Sequence, residues 1–160
     1  MQWIKDNLDD VFKRYIRCGV TSVVDFGGPY WNFAVRDSSL KTDLAPRVFT
    51  TGPLIASWSP DVFMKAEDRP IIQISTIDEA LQLVRKEVEK KPDFIKIWYV
   101  VGRGKTAGEF YPVVKAIVDE SHKLGYPVFI HATELYTAKK AIQAGCDVLA
   151  HEVRDSLVDE

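Results

Sequence analysis

Lys96 stands inside the run Phe94-Ile95-Lys96-Ile97-Trp98-Tyr99-Val100-Val101, where every other residue is large and apolar. Such a run predicts a strand buried on both faces. An ammonium there must either pair with an acid or give up its proton. A lysine salt-bridged across the strand end is the plainer reading. A neutral amine is the other, and it has two chemistries open to it. It can capture carbon dioxide as a carbamate, an anionic oxygen ligand for metal ions, or form a Schiff base with a carbonyl substrate. His131 and His151 close the segments Val128-Phe129-Ile130-His131 and Asp147-Val148-Leu149-Ala150-His151. Neutral imidazole is a good ligand for zinc and similar divalent metals.

Around these three lie weaker candidates. Asp25 closes an earlier apolar segment, Val20-Thr21-Ser22-Val23-Val24, and either touches a ligand or caps the turn that follows. Glu134 and Glu152 come just after the two histidines, as partners for them or as helix caps. Trp58, in a long irregular stretch, and Tyr99, three residues past Lys96, are candidate substrate contacts. His122 precedes Lys123 and Gly125, where a helix C-terminus favours an exposed histidine. Gly104-Lys105-Thr106 occupies the place of a phosphate loop, but Tyr99 stands where that motif needs a glycine. Gly102 and Gly104 before a helix still leave an anion site open. His151-Glu152-Val153-Arg154-Asp155 lacks the second histidine of a zinc-protease helix. Cys18 and Cys146, each beside a glycine, are small fillers of helix–strand turns rather than a disulfide pair.

The elements that must position these groups alternate. The spacing predicts helices over residues 7–17, 31–40, 76–91, 106–123 and 136–143, and strands over 20–24, 47–51, 94–101, 128–131 and 147–151. Thr76-Ile77-Asp78-Glu79 and Thr106-Ala107-Gly108-Glu109 both have capping-box spacing. Residues 54–75 show no periodicity; a connection that long is a functional loop or conceals an element. Gly19 to Asp25, Gly125 to His131 and Gly145 to His151 repeat one layout: a helix-ending glycine, an apolar strand, and a polar residue six positions on. Helix–strand alternation with short turns implies right-handed crossovers and a parallel sheet. The C-terminal ends of its strands share one rim, so Asp25, His131 and His151 are expected to converge there.

The bulk numbers suit one globular domain. The 160 residues are 46% hydrophobic and 28% charged, with a formal net charge of −2. That balance gives no electrostatic case for nucleic acid or an anionic membrane as partner. No apolar run reaches membrane-spanning length. The first residues carry no signal pattern, so the compartment is open, with the cytoplasm as default.

Several stretches resemble the amidohydrolase superfamily, nearest to its imidazolonepropionase-like and prolidase-like branch. They are residues 19–25, Ala45-Pro46-Arg47-Val48-Phe49-Thr50-Thr51-Gly52-Pro53, Phe94-Ile95-Lys96-Ile97-Trp98, and the run from Ile130-His131-Ala132 to Ala150-His151. The resemblance implies a (β/α)8 TIM barrel, of which residues 1–160 supply one incomplete catalytic domain, about strands 2 to 6. A five-stranded flavodoxin-like sheet is the alternative fold. The resemblance further implies that Lys96 is the carboxylated lysine bridging one or two divalent ions, zinc above all, and that His131 and His151 are ligands. The activity implied is hydrolysis of amide, cyclic amide or peptide-like C–N bonds in a small-molecule or dipeptide-like substrate. The family's His-x-His and catalytic aspartate have no counterpart here, so the piece alone is expected to be inactive. Leu54-Ile55-Ala56-Ser57-Trp58-Ser59-Pro60 stands where this branch often has Gly-Gly-His, and Thr133 where it often has a further histidine. A Schiff-base lyase on the same barrel and a non-enzymatic flavodoxin-like binding module are the rival functions.

Overall fold

The computed structural model describes residues 2–101 and 106–158. Two helices, α1 (Gln2–Asp6) and α2 (Leu8–Arg17), lead into β1 (Ser22–Asp25), α3 (Asn32–Ser39) and β2 (Arg47–Thr50). Then come β3 (Leu54–Ala56), α4 (Asp61–Met64), β4 (Ile71–Gln73), α5 (Ile77–Val88) and β5 (Ile95–Trp98). The chain continues through α6 (Ala107–Lys123), β6 (Val128–His131), α7 (Leu135–Ala144) and β7 (Val148–Leu149). The expected alternation is present. Inside the irregular stretch 54–75 lie β3, α4 and β4, three elements too short for any periodicity to show.

Every strand pairing is parallel. β1 pairs with β2, and a second sheet has the order β4-β3-β5-β6-β7. β2 and β3 behave as one strand interrupted at residues 51–53. Asp93, just ahead of β5, donates its backbone N–H to the Thr50 carbonyl and accepts the Thr50 N–H on its carboxylate. The β5 side of β2 is thereby fixed, and β3 continues the contact by pairing with β5. β1 and β4 share the opposite edge, one below the break and one above. Apart from β4, the strands run in chain order: β1, then β2 with β3, then β5, β6 and β7. A flavodoxin-like sheet reverses its strand order at a switch point. The five-stranded sheet turns in this way at β3, with β4 on one side and β5 on the other, but here β1 and β2 precede the turn as a further parallel pair, which a five-stranded flavodoxin-like sheet would not have. β1 pairs only with β2, and β7 only with β6, among the described residues.

The core lies on one side of the five-stranded sheet. Ile95, Ile97 and Tyr99 of β5 and its exit, with Val128 and Ile130 of β6, pack against α5, α6 and α7 through residues such as Val84, Ile117 and Ala141. The helices are anchored locally. Thr76 and Glu79 form the expected capping box, and Gly145 ends α7 in the left-handed conformation at φ +94°. At Thr106 the spacing is right but the bonding differs. Its hydroxyl donates to the Glu109 carboxylate and accepts no helix N–H. No helix among the described residues is long and apolar enough to cross a membrane.

Candidate metal centre

Period-two alternation sorts the strand residues into two faces. With Ile95, Ile97 and Tyr99 turned to the helices, Phe94, Lys96 and Trp98 face the concave side. β5 and β6 pair so that Lys96 is opposite Phe129, and Trp98 opposite His131. Phe94 and Phe129 stack at 4.2 Å between ring centroids, and Phe26, arriving from the β1 exit loop, packs on both. Phe26 in turn lines a cavity of about 330 Å³ at the C-terminal rim. Asp25, Phe26, Gly27, Leu54, Lys96, Trp98, His131 and His151 line it.

Lys96 is only 2% exposed, and its Nζ has no hydrogen-bond partner among the described residues. The Phe26 ring lies over it, 5.7 Å from Nζ to the centroid. The salt-bridged reading of this lysine therefore has no acid to rest on. Burial lowers the amine from 10.5 to about 7, which places a substantial neutral fraction at neutral pH.

The two histidines meet edge to face, with ring centroids 4.6 Å apart. Burial, then the positive charges of His151, Lys96 and Arg154, lower the His131 imidazole to about 4. His151 is lowered too, first by burial and then by Lys96 and Arg154, with Glu152 acting the other way. Both rings are therefore neutral at neutral pH, the form that binds a metal. No three His, Cys, Asp or Glu side chains among the described residues come together as a metal cluster. The donors gathered are two imidazoles and one amine. They fit part of a metal site, because nothing else satisfies the Lys96 amine and the imidazoles are uncharged.

Asp25 has both roles foreseen for it. It lines the cavity and also holds the β1 exit, accepting from the Gly27 N–H at 3.2 Å, the Thr50 hydroxyl at 3.1 Å and the Asn32 amide. Trp58 stands beside the cavity, 40% exposed, with its ring centroid 5.7 Å from that of Trp98. Tyr99 is not brought to the cavity. It is 1% exposed, and its hydroxyl donates to the Ala107 carbonyl at 2.6 Å under α6. Trp98 holds the rim position instead, and the signal for it was in the sequence, since residues two apart on a strand share a face. Phe26, Gly27 and Leu54 belong to connections, where no period announces them. His122 is bound to Asp147 at 2.8 Å, and Asp147 also takes the Val128 N–H. Glu134 caps α7 without a side-chain bond, and Asp155 accepts the Leu135 N–H in its place. Glu152 pairs with Arg154. The anion site at Gly102 and Gly104 lies outside the described residues.

No family model matches the chain, and no curated protein sequence matches it. Solved structures do match by fold. An amidohydrolase superposes with a TM-score of 0.69 at 22% identity, covering 90% of this chain and 40% of its own. A prolidase complexed with N-methylphosphonate-L-proline gives 0.67 at 19% identity, covering 91% and 40%. A putative prolidase from Bifidobacterium longum gives 0.64 at 27% identity, covering 81% and 32%. The chain thus has the fold of a segment of the amidohydrolase-type barrel, and spans about two fifths or less of the length of these structures.

Proposed function

We propose that these residues form one stretch of the catalytic barrel of a metal-dependent hydrolase acting on carbon–nitrogen bonds. Its substrates would be amides, cyclic amides or peptide-like bonds in a small molecule or dipeptide-like compound. The observation that carries this reading is the convergence, in one 330 Å³ cavity, of a buried unpartnered amine with two neutral imidazoles. The fold shared with amidohydrolases and prolidases supports it. One or two divalent ions, zinc by preference, would supply Lewis-acid polarisation of the carbonyl and an acidified water.

The chain's own residues each have a task in this scheme. His131 and His151 offer neutral ring nitrogens. The neutral Lys96 amine attacks the carbon of carbon dioxide and releases one proton to solvent, so that the nitrogen ends as an anionic carbamate with two oxygen donors. Asp25 holds the β1 exit against the cavity through its three hydrogen bonds. Phe26, packed on Phe94 and Phe129, covers the Lys96 amine with an apolar ring. Further donors would come from outside these three.

Calorimetric titration of the chain with zinc tests the reading. His131→Ala and His151→Ala should each weaken binding by roughly ten-fold or more, while His122→Ala leaves it unchanged. Carbon-13 bicarbonate should give a carbamate resonance that Lys96→Met abolishes. A chain that takes no zinc, or takes it equally well without both rim histidines, overturns the proposal. The unpartnered Lys96 amine also favours a second reading, Schiff-base chemistry. Borohydride trapping of a carbonyl compound on Lys96 in metal-free protein would select it.

A further inference from the structure

Resting on the hydrolase reading, we infer that Trp98, backed by Trp58, is the specificity wall of the site and selects substrates that carry a planar apolar ring beside the reactive C–N bond. Lys96, His131 and His151 line the cavity together with Trp98, and on the hydrolase reading a carbonyl would have to sit by the paired imidazoles. Trp98 follows Lys96 on the same face, one strand period nearer the rim, and its ring stands 6.1 Å from His131 in an edge-on arrangement. A group attached to an amide held by the imidazoles would therefore meet the indole next.

Three features make this wall suited to a flat apolar group. Trp58 lies against Trp98 at 5.7 Å and 31°, doubling the aromatic surface and restricting the Trp98 ring. On β3, the strand next to β5, Leu54 adds an apolar side chain to the cavity lining, and the β1 exit meets it at Gly27. A Cβ at Gly27, where φ is +135°, would fall 2.9 Å from Leu54 Cγ, so the β1 exit can close this tightly only as glycine. The charged groups lining the cavity are Lys96 and Asp25, whose oxygens are already engaged by Gly27, Thr50 and Asn32. An ionised group on the substrate would find no partner on this wall, whereas a ring would gain stacking with the indole.

Acetanilide and N-methylacetamide share the amide and differ in the ring, and they serve as probes on the whole chain. The protein has four tryptophans, each with an indole N–H resonance in a nitrogen-15 correlation spectrum. Acetanilide should move the resonances of Trp98 and Trp58 and leave those of Trp3 and Trp31 in place, and should bind more tightly than N-methylacetamide. Trp98→Ala should weaken acetanilide about ten-fold and N-methylacetamide hardly at all, while Trp98→Phe retains most of the difference. The inference falls if acetanilide binds no better than N-methylacetamide, or if it perturbs Trp3 and Trp31 instead. Zinc titration of the same samples keeps the two questions apart. Zinc bound without ring selectivity sinks the wall and leaves the hydrolase reading standing; ring selectivity without zinc does the reverse.

Discussion

Methionine at position 96 should make the protein more stable and, on the proposed function, remove the carbamate ligand. It keeps the length and most of the apolar volume of lysine while deleting an amine that is 2% exposed and has no hydrogen-bond partner among the described residues. Burial brings that amine from 10.5 to about 7, while in the unfolded chain it stays near its ordinary value. Between those two pH values the folded protein holds fewer protons than the unfolded, so its stability rises with pH. Below about pH 7 both states are protonated and the whole penalty is present. At ~1.4 kcal/mol per pH unit, the gap from 10.5 to about 7 corresponds to an upper figure of roughly 5 kcal/mol, which local relaxation and water entry reduce. Lys96→Met is therefore expected to raise the unfolding free energy at pH 6–7 by about 2–5 kcal/mol. The advantage should shrink by ~1.4 kcal/mol per pH unit on the way to pH 10. Urea denaturation of both proteins at several pH values measures it, and taking the difference cancels the titration of distant groups such as Glu87. A variant that is less stable at every pH, with a difference independent of pH, would refute the reasoning.

Two further outcomes follow from the same physics. Glu87, on the buried face of α5, is 0% exposed, and neither carboxylate oxygen has a partner among the described residues. Burial raises its pKa well above 4.5, so the folded state keeps a proton that the unfolded state has lost. Stability should then fall by ~1.4 kcal/mol per pH unit as pH rises above about 4.5, and Glu87→Gln should flatten that slope in denaturation curves between pH 4.5 and 7. Gly27→Ala should cost about 1–3 kcal/mol in thermal unfolding, because the new Cβ meets Leu54 and the residue sits at a φ that L side chains rarely adopt. An alanine variant as stable as the parent would show that the β1 exit is not held closely against Leu54.

How much of this could be seen in the sequence depends on the length of the signal. The longer helices announce themselves through apolar spacing, and β1, β2, β5, β6 and β7 through short apolar runs that follow a helix-ending glycine or a proline. The interval from glycine to polar residue puts His131 and His151 side by side, and their rings do meet, but the pairing of Phe129 with Val148 and Ile130 with Leu149 leaves His151 one residue past the position level with His131. β3 and β4 could not be foreseen, because three-residue strands exist only through tertiary pairing. Their bounds are set by Leu54 donating to the Pro70 carbonyl and Ile74 to the Ala56 carbonyl, contacts that nothing in residues 54–75 encodes locally. Tyr99 and Trp98 show a different lapse. Counting from Lys96, alternation assigns Trp98 to the concave face and Tyr99 to the helix side, so the rule was at hand. At Thr106 the motif was present and the bonding was not. A hydroxyl that donates to Glu109 satisfies the carboxylate without capping the helix.

The three donors do not enjoy equal support, and this bears on how the site would respond to an ion. Lys96 sits on β5, which has β3 on one side and β6 on the other, and His131 ends β6, flanked by β5 and β7. Packing of their outer-face neighbours Ile95, Ile97, Val128 and Ile130 under the helices fixes the roll of both strands, and with it the direction of the donors. His151 follows a strand of two residues with one paired edge, steadied by the Ala150 N–H donating to the Ile130 carbonyl and by the Phe26 ring 6.4 Å away. An ion shared by His131 and His151 would tie this edge to the doubly supported strands. Its binding energy would then be spent partly on ordering β7, so metal affinity and edge-strand stability are coupled. A substitution that loosens Phe26 should weaken the ion without touching a single ligand.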